Sequence, residues 1–288
     1  MPAPVARYRD AVQIGSSHPA VKLAQALQRG QSVPDGDNLT VAEGIWASQA
    51  VLDTGVTVRE FLWCPAALRG PEAAELAAAL SDHAENSYEI SARTLERLAD
   101  RDRPDGLLSI IELPDWQPES LDLPQRALIL VSDGIEQPGN LGTLVRTLDA
   151  CGADALVLTG TRTKRTNVKV FRASHGTILR IPTISFDSVP QAQTWLDEAG
   201  FQVYLADTDG ASRYCNTDYG ARTAIVMGNE RYGISAEWYR DDAAKIFIPM
   251  LGSADSLNVS ISAAVLLYEA RSRLNDWRGG HSGHSGRD

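Results

Sequence analysis

Three blocks in the second half of the chain place glycine beside polar or charged side chains, directly after apolar runs. Glycine lets a backbone come close to a ligand, and polar side chains can orient that ligand. Packing alone would require a strict apolar periodicity, which these blocks interrupt. We therefore interpret them as ligand-contacting segments. In chain order the blocks are Asn140, Gly142 and Arg146; residues 227–235 (MGNERYGIS); and residues 248–250 (IPM) followed by 256–260 (SLNVS).

Arg146 is the strongest single candidate for chemistry. It lies six positions after Asn140, and the apolar pattern predicts that it is near the start of a helix over residues 144–151. A guanidinium there can hold a phosphate or another anionic oxygen through its fork of donors. The alternative is an arginine engaged in a surface ion pair.

The content and order of the three blocks resemble the SpoU (TrmH) class of the SPOUT superfamily. These are RNA 2′-O-ribose methyltransferases that use S-adenosylmethionine, and the resemblance covers roughly residues 127–275. It implies catalytic roles for Asn140, Arg146, Glu230, Ser256 and Asn258. It also implies an S-adenosylmethionine pocket formed by the backbones and apolar side chains of Gly228, Ile248, Met250, Leu257 and Val259.

The resemblance makes Arg146 the catalytic arginine, which is often proposed to deprotonate the ribose 2′-hydroxyl. Because arginine is effectively always protonated, we favour stabilisation of the developing alkoxide, with water or substrate phosphate taking the proton. Asn140 would orient the arginine. Glu230 would pair with Arg146 or with a neighbouring backbone donor, although a plain surface glutamate is the alternative.

Ser256 and Asn258 precede the last apolar helix, where serine and asparagine are favoured N-caps. Capping is therefore the structural interpretation of both residues. The resemblance adds that Asn258 helps to hold the substrate and the methyl donor in line. It further implies a C-terminal trefoil knot and a homodimer whose sites combine residues of both subunits.

A run of basic residues follows the first block without any acidic residue among them. The run suggests contacts with RNA phosphates, and a solvated surface loop is the alternative. The overall net charge of −10 argues against a nonspecific nucleic-acid coat protein but not against a local basic patch. The basic residues are Arg162, Lys164, Arg165, Lys169, Arg172 and Arg180.

Bulk composition predicts a cytoplasmic protein of one or two domains. The 288 residues are 43% hydrophobic, and no apolar run approaches the ~18 residues of a membrane span. The N-terminus lacks the apolar core of a secretion signal. Cys64, Cys151 and Cys215 show neither disulfide nor metal-ligand spacing. His281 and His284 lie in a glycine-serine tail, so we expect no metal.

The alternation of helix and strand patterns predicts an α/β fold in two domains. Residues 1–113 would form a smaller α/β domain, whose Glu43-Gly44 pair loosely resembles the L30e-like RNA-binding domain of SpoU proteins. Asp35 and Asp37 replace the basic residues common before that pair, which weakens the case for an RNA contact there. A proline-rich linker at 114–126 would precede the methyltransferase domain at 127–277 and a disordered tail at 278–288.

Individual elements follow from apolar runs and turn signals. Helices are expected over residues 45–52, 72–80, 91–98, 144–151 and 258–274. Strands are expected over residues 58–64, 106–111, 127–132, 155–158, 201–206, 224–227 and 246–250. The second set predicts a parallel sheet with helices on both faces, whose ligands bind at the carboxyl ends of the strands.

Other functions compete with methylation of ribosomal RNA, which we favour because relatives with an L30e-like front mostly act on it. A tRNA 2′-O-methyltransferase and an inactive RNA-binding module share the fold. A nicotinamide-dependent oxidoreductase would need a G-x-G-x-x-G turn, which residues 139–142 do not match. Housekeeping modification and antibiotic resistance are both compatible with the sequence.

Overall fold

The computed structural model describes residues 12–34, 36–100 and 103–275. Asp35 and the expected tail at 278–288 lie outside the described residues. Two compact units divide the chain. The first contains the described residues up to 115 together with 141–143 and 164–180, and the second contains 116–140, 144–163 and the residues from 181 onward.

Five strands and four helices make up most of the first unit. The strands are β1 (Val12–Ile14), β2 (Leu39–Glu43), β3 (Val58–Trp63), β4 (Asn86–Ile90) and β5 (Leu107–Glu112). The helices are α1 (Pro19–Gln28), α2 (Ile45–Thr54), α3 (Gly70–His83) and α4 (Ala92–Leu98). The sheet order is β1-β4-β3-β5-β2, with parallel pairs among the first three and antiparallel pairs to β5.

The remaining elements follow in chain order. The strands are β6 (Ala127–Asp133), β7 (Ala155–Thr159), β8 (Thr183–Phe186), β9 (Gln202–Ala206), β10 (Ser212–Arg213), β11 (Arg222–Met227) and β12 (Ala244–Phe247). The helices are α5 (Pro138–Cys151), α6 (Val168–Ser174), α7 (Val189–Glu198) and α8 (Val259–Leu274). Helix α6 belongs to the first unit, where it packs along the edge strand β2.

A seven-stranded parallel sheet forms the centre of the second unit, as the sequence predicts. Its order is β10-β12-β9-β11-β6-β7-β8. Strands β6, β7 and β11 are buried almost throughout, because helices cover both faces of a parallel sheet and leave no polar side for alternation. The connection that follows β6 leads to β7, on one side of the sheet, and the connection that follows β11 leads to β12, on the other side. Because β6 and β11 are neighbours, this is a topological switch point, where open α/β sheets bind ligands in a crevice at the carboxyl ends of the strands.

Two local expectations are wrong, and one helix was not predicted. Helix α5 begins at Pro138 rather than near residue 144, because proline fits the first helical position, where its missing N–H is not needed. Strand β12 ends at Phe247, so residues 248–250 lie in a loop. The basic run contains the helix α6, whose charged residues interrupt the apolar periodicity by which a helix is predicted. Across the described chain, no helix has the length and apolarity needed to cross a bilayer.

Candidate active site

Asn140 joins the three sequence blocks in the second unit. Its side-chain amide donates to Glu230 Oε1 at 2.7 Å. Its side-chain oxygen accepts from Asn258 Nδ2 at 3.3 Å, and its backbone carbonyl accepts from the Ser260 hydroxyl at 3.2 Å. One asparagine thus connects the first turn of α5, the loop after β11 and the start of α8.

The secondary structure explains why these side chains converge. Asn140 is the third residue of α5, which follows β6, and Glu230 follows the neighbouring strand β11. Asn258 is the N-cap of α8, where its side-chain oxygen accepts from the Ser260 amide at 2.9 Å. Ser256 is not a cap, in contrast to the structural interpretation from sequence. It lies two residues before the N-cap Asn258.

Asn229 locks the loop that carries Glu230. Its backbone forms a two-way pair with Gly233, at 2.9 and 3.0 Å, so the loop closes as a small hairpin. Its side-chain amide donates to the Gly134 carbonyl at 2.6 Å, and its side-chain oxygen accepts from the Arg231 amide at 2.8 Å. Asn229 lies in the second sequence block, but its role there was not predicted. Asparagine that accepts from a backbone amide two residues on forms an Asx turn, and the asparagine within a turn-like stretch is the sequence signal for it.

Asp133 also holds this loop in place, and the sequence did not predict that role. It is the last residue of β6 and only 6% exposed. Its two carboxylate oxygens accept from the Thr159 hydroxyl at 2.9 Å and from the Ser235 amide at 2.8 Å. A buried carboxylate with a partner on each oxygen ties the ends of β6 and β7 to the hairpin.

Gly228 has a steric role that differs from the expected one. A Cβ atom at this position would lie 2.2 Å from the Gly233 carbonyl carbon and 2.3 Å from the Ile234 amide nitrogen. The backbone therefore needs glycine here because the hairpin passes directly over it.

Arg146 is the ninth residue of α5 and is exposed. Since the helix begins at Pro138, Arg146 is not near its start, contrary to the expectation from sequence. Six residues of helix separate it from Asn140 by about 9 Å along the axis and by roughly 120° around it. The two side chains thus emerge from different faces of α5. The sequence predicts Arg146 or a backbone donor as the partner of Glu230, and the structure gives it the Asn140 amide.

A pocket opens beside this hydrogen-bonded group, at the carboxyl ends of β9, β11 and β12. Four residues selected from sequence line it: Ile248, Met250, Ser256 and Leu257. Gly228 and Val259, which were also expected there, are not among its lining residues. The structure adds Ala206, Asp207, Thr208, Met227, Ile246, Phe247, Ser262 and Leu266.

Asp207 is the acidic side chain of this pocket. Its carboxylate accepts from the Tyr239 hydroxyl at 2.6 Å and from the Asp209 amide at 3.0 Å. Burial raises the pKa of Asp207, but those two hydrogen bonds and the charge of Lys245 outweigh burial and lower the pKa overall. Burial and the Asp207 carboxylate together raise the pKa of Tyr239 to about 12. The Lys245 ammonium lies 4.8 Å from the centre of the Tyr239 ring.

Arg165 differs from the other members of the basic run, because its guanidinium is half-buried and hydrogen-bonded within the protein. It donates to the Pro114 carbonyl at 2.8 Å and to Asn38 Oδ1 at 2.9 Å. Asp115 lies 3.3 Å away. Burial lowers the pKa of Arg165 and the Asp115 charge opposes that shift. These contacts give Arg165 a structural task within the first unit.

The other basic residues separate into paired arginines and exposed lysines. Arg162 pairs with Glu136 at 3.0 Å, Arg180 pairs with Asp53 at 3.3 Å, and Arg172 pairs with Asp100. Lys164 and Lys169 are exposed. Across the part of the chain that the structure describes, no group of three or more histidine, cysteine, aspartate or glutamate side chains is placed to hold a metal ion. His281 and His284 lie outside that part.

Comparisons with known proteins agree on one family. A family model described as the SpoU rRNA methylase family matches residues 127–268. The 23S rRNA (guanosine(2553)-2′-O)-methyltransferase RlmP of Bacillus subtilis strain 168 is 29% identical over 184 residues, which is 64% of this chain and 72% of that protein.

Solved structures extend the similarity over nearly the whole chain. The AdoMet-bound rRNA methyltransferase from Sinorhizobium meliloti is similar with a TM-score of 0.79 and 28% identity, over 92% of this chain and 98% of that one. An RNA 2′-O ribose methyltransferase is similar with a TM-score of 0.76 and 31% identity, over 91% of this chain and 98% of that one. The motif residues, their convergence around Asn140 and these similarities lead to one conclusion: the chain belongs to the SpoU rRNA methylase family.

Proposed function

We propose that this protein methylates the 2′-oxygen of a ribose in RNA, most favourably ribosomal RNA, with S-adenosylmethionine as the methyl donor. The observation that carries the proposal is the hydrogen-bonded group around Asn140, which borders a pocket suited to the donor. The activities of the relatives described above support the same reaction. The domain division into 1–113, 114–126 and 127–277, the knot and the L30e-like assignment remain part of the proposal.

The pocket fits the chemistry of S-adenosylmethionine. Ile246, Ile248, Leu257 and Leu266 offer apolar walls to the adenine, as flat aromatic ligands require. The Asp207 carboxylate and the hydroxyl of Ser256 offer acceptors to ribose hydroxyls or to the ammonium group. The donor would supply a methyl group made electrophilic by its sulfonium. Gly228 and Val259 would contribute indirectly, through the hairpin and the buried start of α8.

The polar residues would bind and orient the RNA ribose. We assign to Arg146 the stabilisation of negative charge that develops on the 2′-oxygen, because an exposed guanidinium donates without giving up its proton. The proton would pass to water or to a substrate phosphate. Asn140, held by Glu230 and Asn258, would fix the first turn of α5, and this positioning accounts for much of the rate in an in-line transfer.

A homodimer is part of the proposal. Ile261 and Tyr268 lie seven residues apart on the exposed side of α8, Leu257 lies exposed just before the helix, and Ile261 is 54% exposed. Such an apolar stripe suits a self-complementary interface. Sedimentation of the wild type and of Ile261→Asp tests this, since the proposal requires a dimer that the charged variant weakens.

The decisive experiment maps 2′-O-methylation on total ribosomal RNA and tRNA with and without the protein. A site gained only in ribosomal RNA supports the favoured substrate, and a site gained only in tRNA supports the alternative. Calorimetry with S-adenosylmethionine and with NAD separates methyl transfer from oxidoreduction. Binding of the donor without methylation of any RNA would favour the inactive RNA-binding module.

A further inference from the structure

A second pocket, remote in sequence from the motif blocks, opens in the first unit. It lies beyond the edge strand β2, between the start of α2 and α6. The proposed methyl transfer gives it no role. Its lining includes Val41, Glu43, Trp46, Ala47, Phe171 and Arg172.

Glu43 gives this pocket an unusual polar group. It is the last residue of β2 and is only 8% exposed. One carboxylate oxygen accepts from the Asp100 amide at 3.2 Å. The other, Oε1, is buried and has no hydrogen-bond partner within the described residues. An unpaired buried carboxylate oxygen is costly, so a donor supplied by a ligand would relieve that cost.

The rest of the pocket suits a flat group. Val41, Ala47 and Phe171 supply apolar walls. Trp46, the second residue of α2, is 78% exposed at the rim, which is unusual for so large an aromatic side chain. Exposed tryptophan faces are favoured platforms for stacked bases.

Positive charge flanks the opening. Arg172 lines the pocket from α6 and is held by its ion pair with Asp100. Lys169 lies one turn earlier on the same helix and is exposed. A phosphate attached to a ligand in the pocket would therefore meet cations next to an apolar slot, which is the arrangement that single-stranded nucleic acid requires.

We infer that this pocket takes one unpaired nucleobase of the RNA substrate, stacked on Trp46 and donating an amino hydrogen to Glu43. This inference rests on the proposed function only in taking RNA as the substrate. Adenine, cytosine and guanine each carry an exocyclic amino group, and carboxylates accept from such groups. Uracil has its N–H between two carbonyl oxygens, which a carboxylate repels, so the pocket disfavours uracil.

The test uses the full chain and an eight-nucleotide RNA with a single 2-aminopurine among uridines. Stacking on Trp46 should quench the 2-aminopurine fluorescence, and Trp46→Ala should remove the quenching and weaken binding about tenfold. Trp46→Phe keeps an aromatic face and should retain most of the affinity. Glu43→Gln should weaken binding similarly, whereas the exposed Glu96→Gln on α4 should not.

Because Glu43 is buried, its variant can fail to fold, and circular dichroism checks this. Ala47→Phe fills the slot from a different residue and should also abolish quenching. The inference is overturned if the wild type does not bind the labelled RNA, if Trp46→Ala and Ala47→Phe bind it unchanged, or if an all-uridine RNA binds equally well. Equal affinity for free 2-aminopurine ribonucleotide would identify a small nucleotide as the ligand and overturn the RNA assignment.

Methyl transfer measured on the same preparations separates this inference from the proposed function. If the wild type methylates RNA and the pocket variants do so equally fast at limiting RNA concentration, the base pocket is rejected and the methyltransferase proposal stands. Pocket-dependent binding of RNA by a protein that transfers no methyl group would support the pocket and reject the enzyme.

Discussion

The Asn140 side-chain amide meets the Glu230 carboxylate at 2.7 Å, although 90 residues separate them in the chain. The bond joins a helix and a hairpin that follow two adjacent parallel strands. The NH2 and the oxygen lie on opposite sides of the planar amide, so the orientation that points the NH2 at Glu230 turns the side-chain oxygen of Asn140 toward Asn258. A single rotamer thus sets the geometry of three segments.

Asn140→Asp should reduce methyl transfer about 10- to 100-fold while leaving S-adenosylmethionine affinity nearly unchanged. The new carboxylate would face Glu230, and two like charges at this distance repel each other. Transfer of a radiolabelled methyl group to RNA measures the first effect and calorimetry the second. Gln191→Ala, an exposed change on α7, is the control. Unchanged transfer by the aspartate variant would show that this bond does not govern the site.

Arg146→Ala should lower methyl transfer by about 10²–10³-fold, the loss typical of one donor to a developing oxyanion. S-adenosylmethionine affinity should change little, since Arg146 does not line the donor pocket. Single-turnover kinetics at saturating RNA measure the effect. Arg146→Lys keeps the charge without the fork and should recover only part of the rate. A normal rate in the alanine variant would remove Arg146 from the mechanism.

Gly228→Ala should destabilise the second unit by more than ~2 kcal/mol, because the added methyl group meets backbone atoms that cannot rotate away. Thermal unfolding measures the loss. Gly139→Ala is the matched control, since a Cβ there meets nothing within 4 Å. Equal melting temperatures for the two variants would contradict the steric role of Gly228.

Arg165→Ala should lower stability and Lys164→Ala should weaken RNA binding, although the two residues are adjacent. Losing Arg165 removes two hydrogen bonds and the ion pair with Asp115 from a half-buried guanidinium and should cost about 2 kcal/mol of stability. Losing the exposed Lys164 should leave stability unchanged and reduce the salt dependence of RNA binding by about one unit. Chemical denaturation and RNA titrations in salt measure the two effects. A stable Arg165→Ala protein with weakened RNA binding would reverse the assignment.

Tyr239→Phe should lower stability by about 1 kcal/mol at neutral pH, through loss of the hydrogen bond to Asp207. The pKa of Asp207 is lowered on folding, so its stabilising contribution exists above the unfolded pKa and disappears as pH falls through the folded pKa. The difference between wild type and variant should therefore shrink below about pH 4. It should also shrink as pH rises through the raised pKa of Tyr239, about 12. Urea unfolding measured from about pH 3 to about pH 8 tests the expected decrease at low pH, because this range includes the ordinary pKa of aspartate. A constant difference would exclude this linkage.

The sequence predicts the strands of the second unit well, because buried parallel strands are continuous apolar runs. Residues 127–132 and 155–158 correspond closely to β6 and β7. The start of α5 was missed because the polar Gln137-Pro138-Gly139-Asn140 stretch has no apolar period. The proline at the first helical position was the signal available there.

The sequence predicts which residues form the site but not which of their side chains are hydrogen-bonded to one another. Asn140, Glu230 and Asn258 were selected from the sequence, but which of them bond depends on rotamers and on loops joined across the sheet. Asp133 lies at the end of an apolar strand and gives no sign of its two partners. In the sequence, Arg165 cannot be distinguished from the other basic residues of its run, because the burial of its guanidinium depends on the fold.

The long sequence separations within the site have a consequence for synthesis of the protein. The bond between Asn140 and Asn258 spans 118 residues, and Asn258 begins the last helix. A nascent chain that ends before this point already contains every strand of the parallel sheet but cannot complete the asparagine pair. Contacts of such high sequence separation also form late in folding. The proposed role of this pair therefore predicts that an incomplete chain does not methylate RNA while the ribosome is still making it.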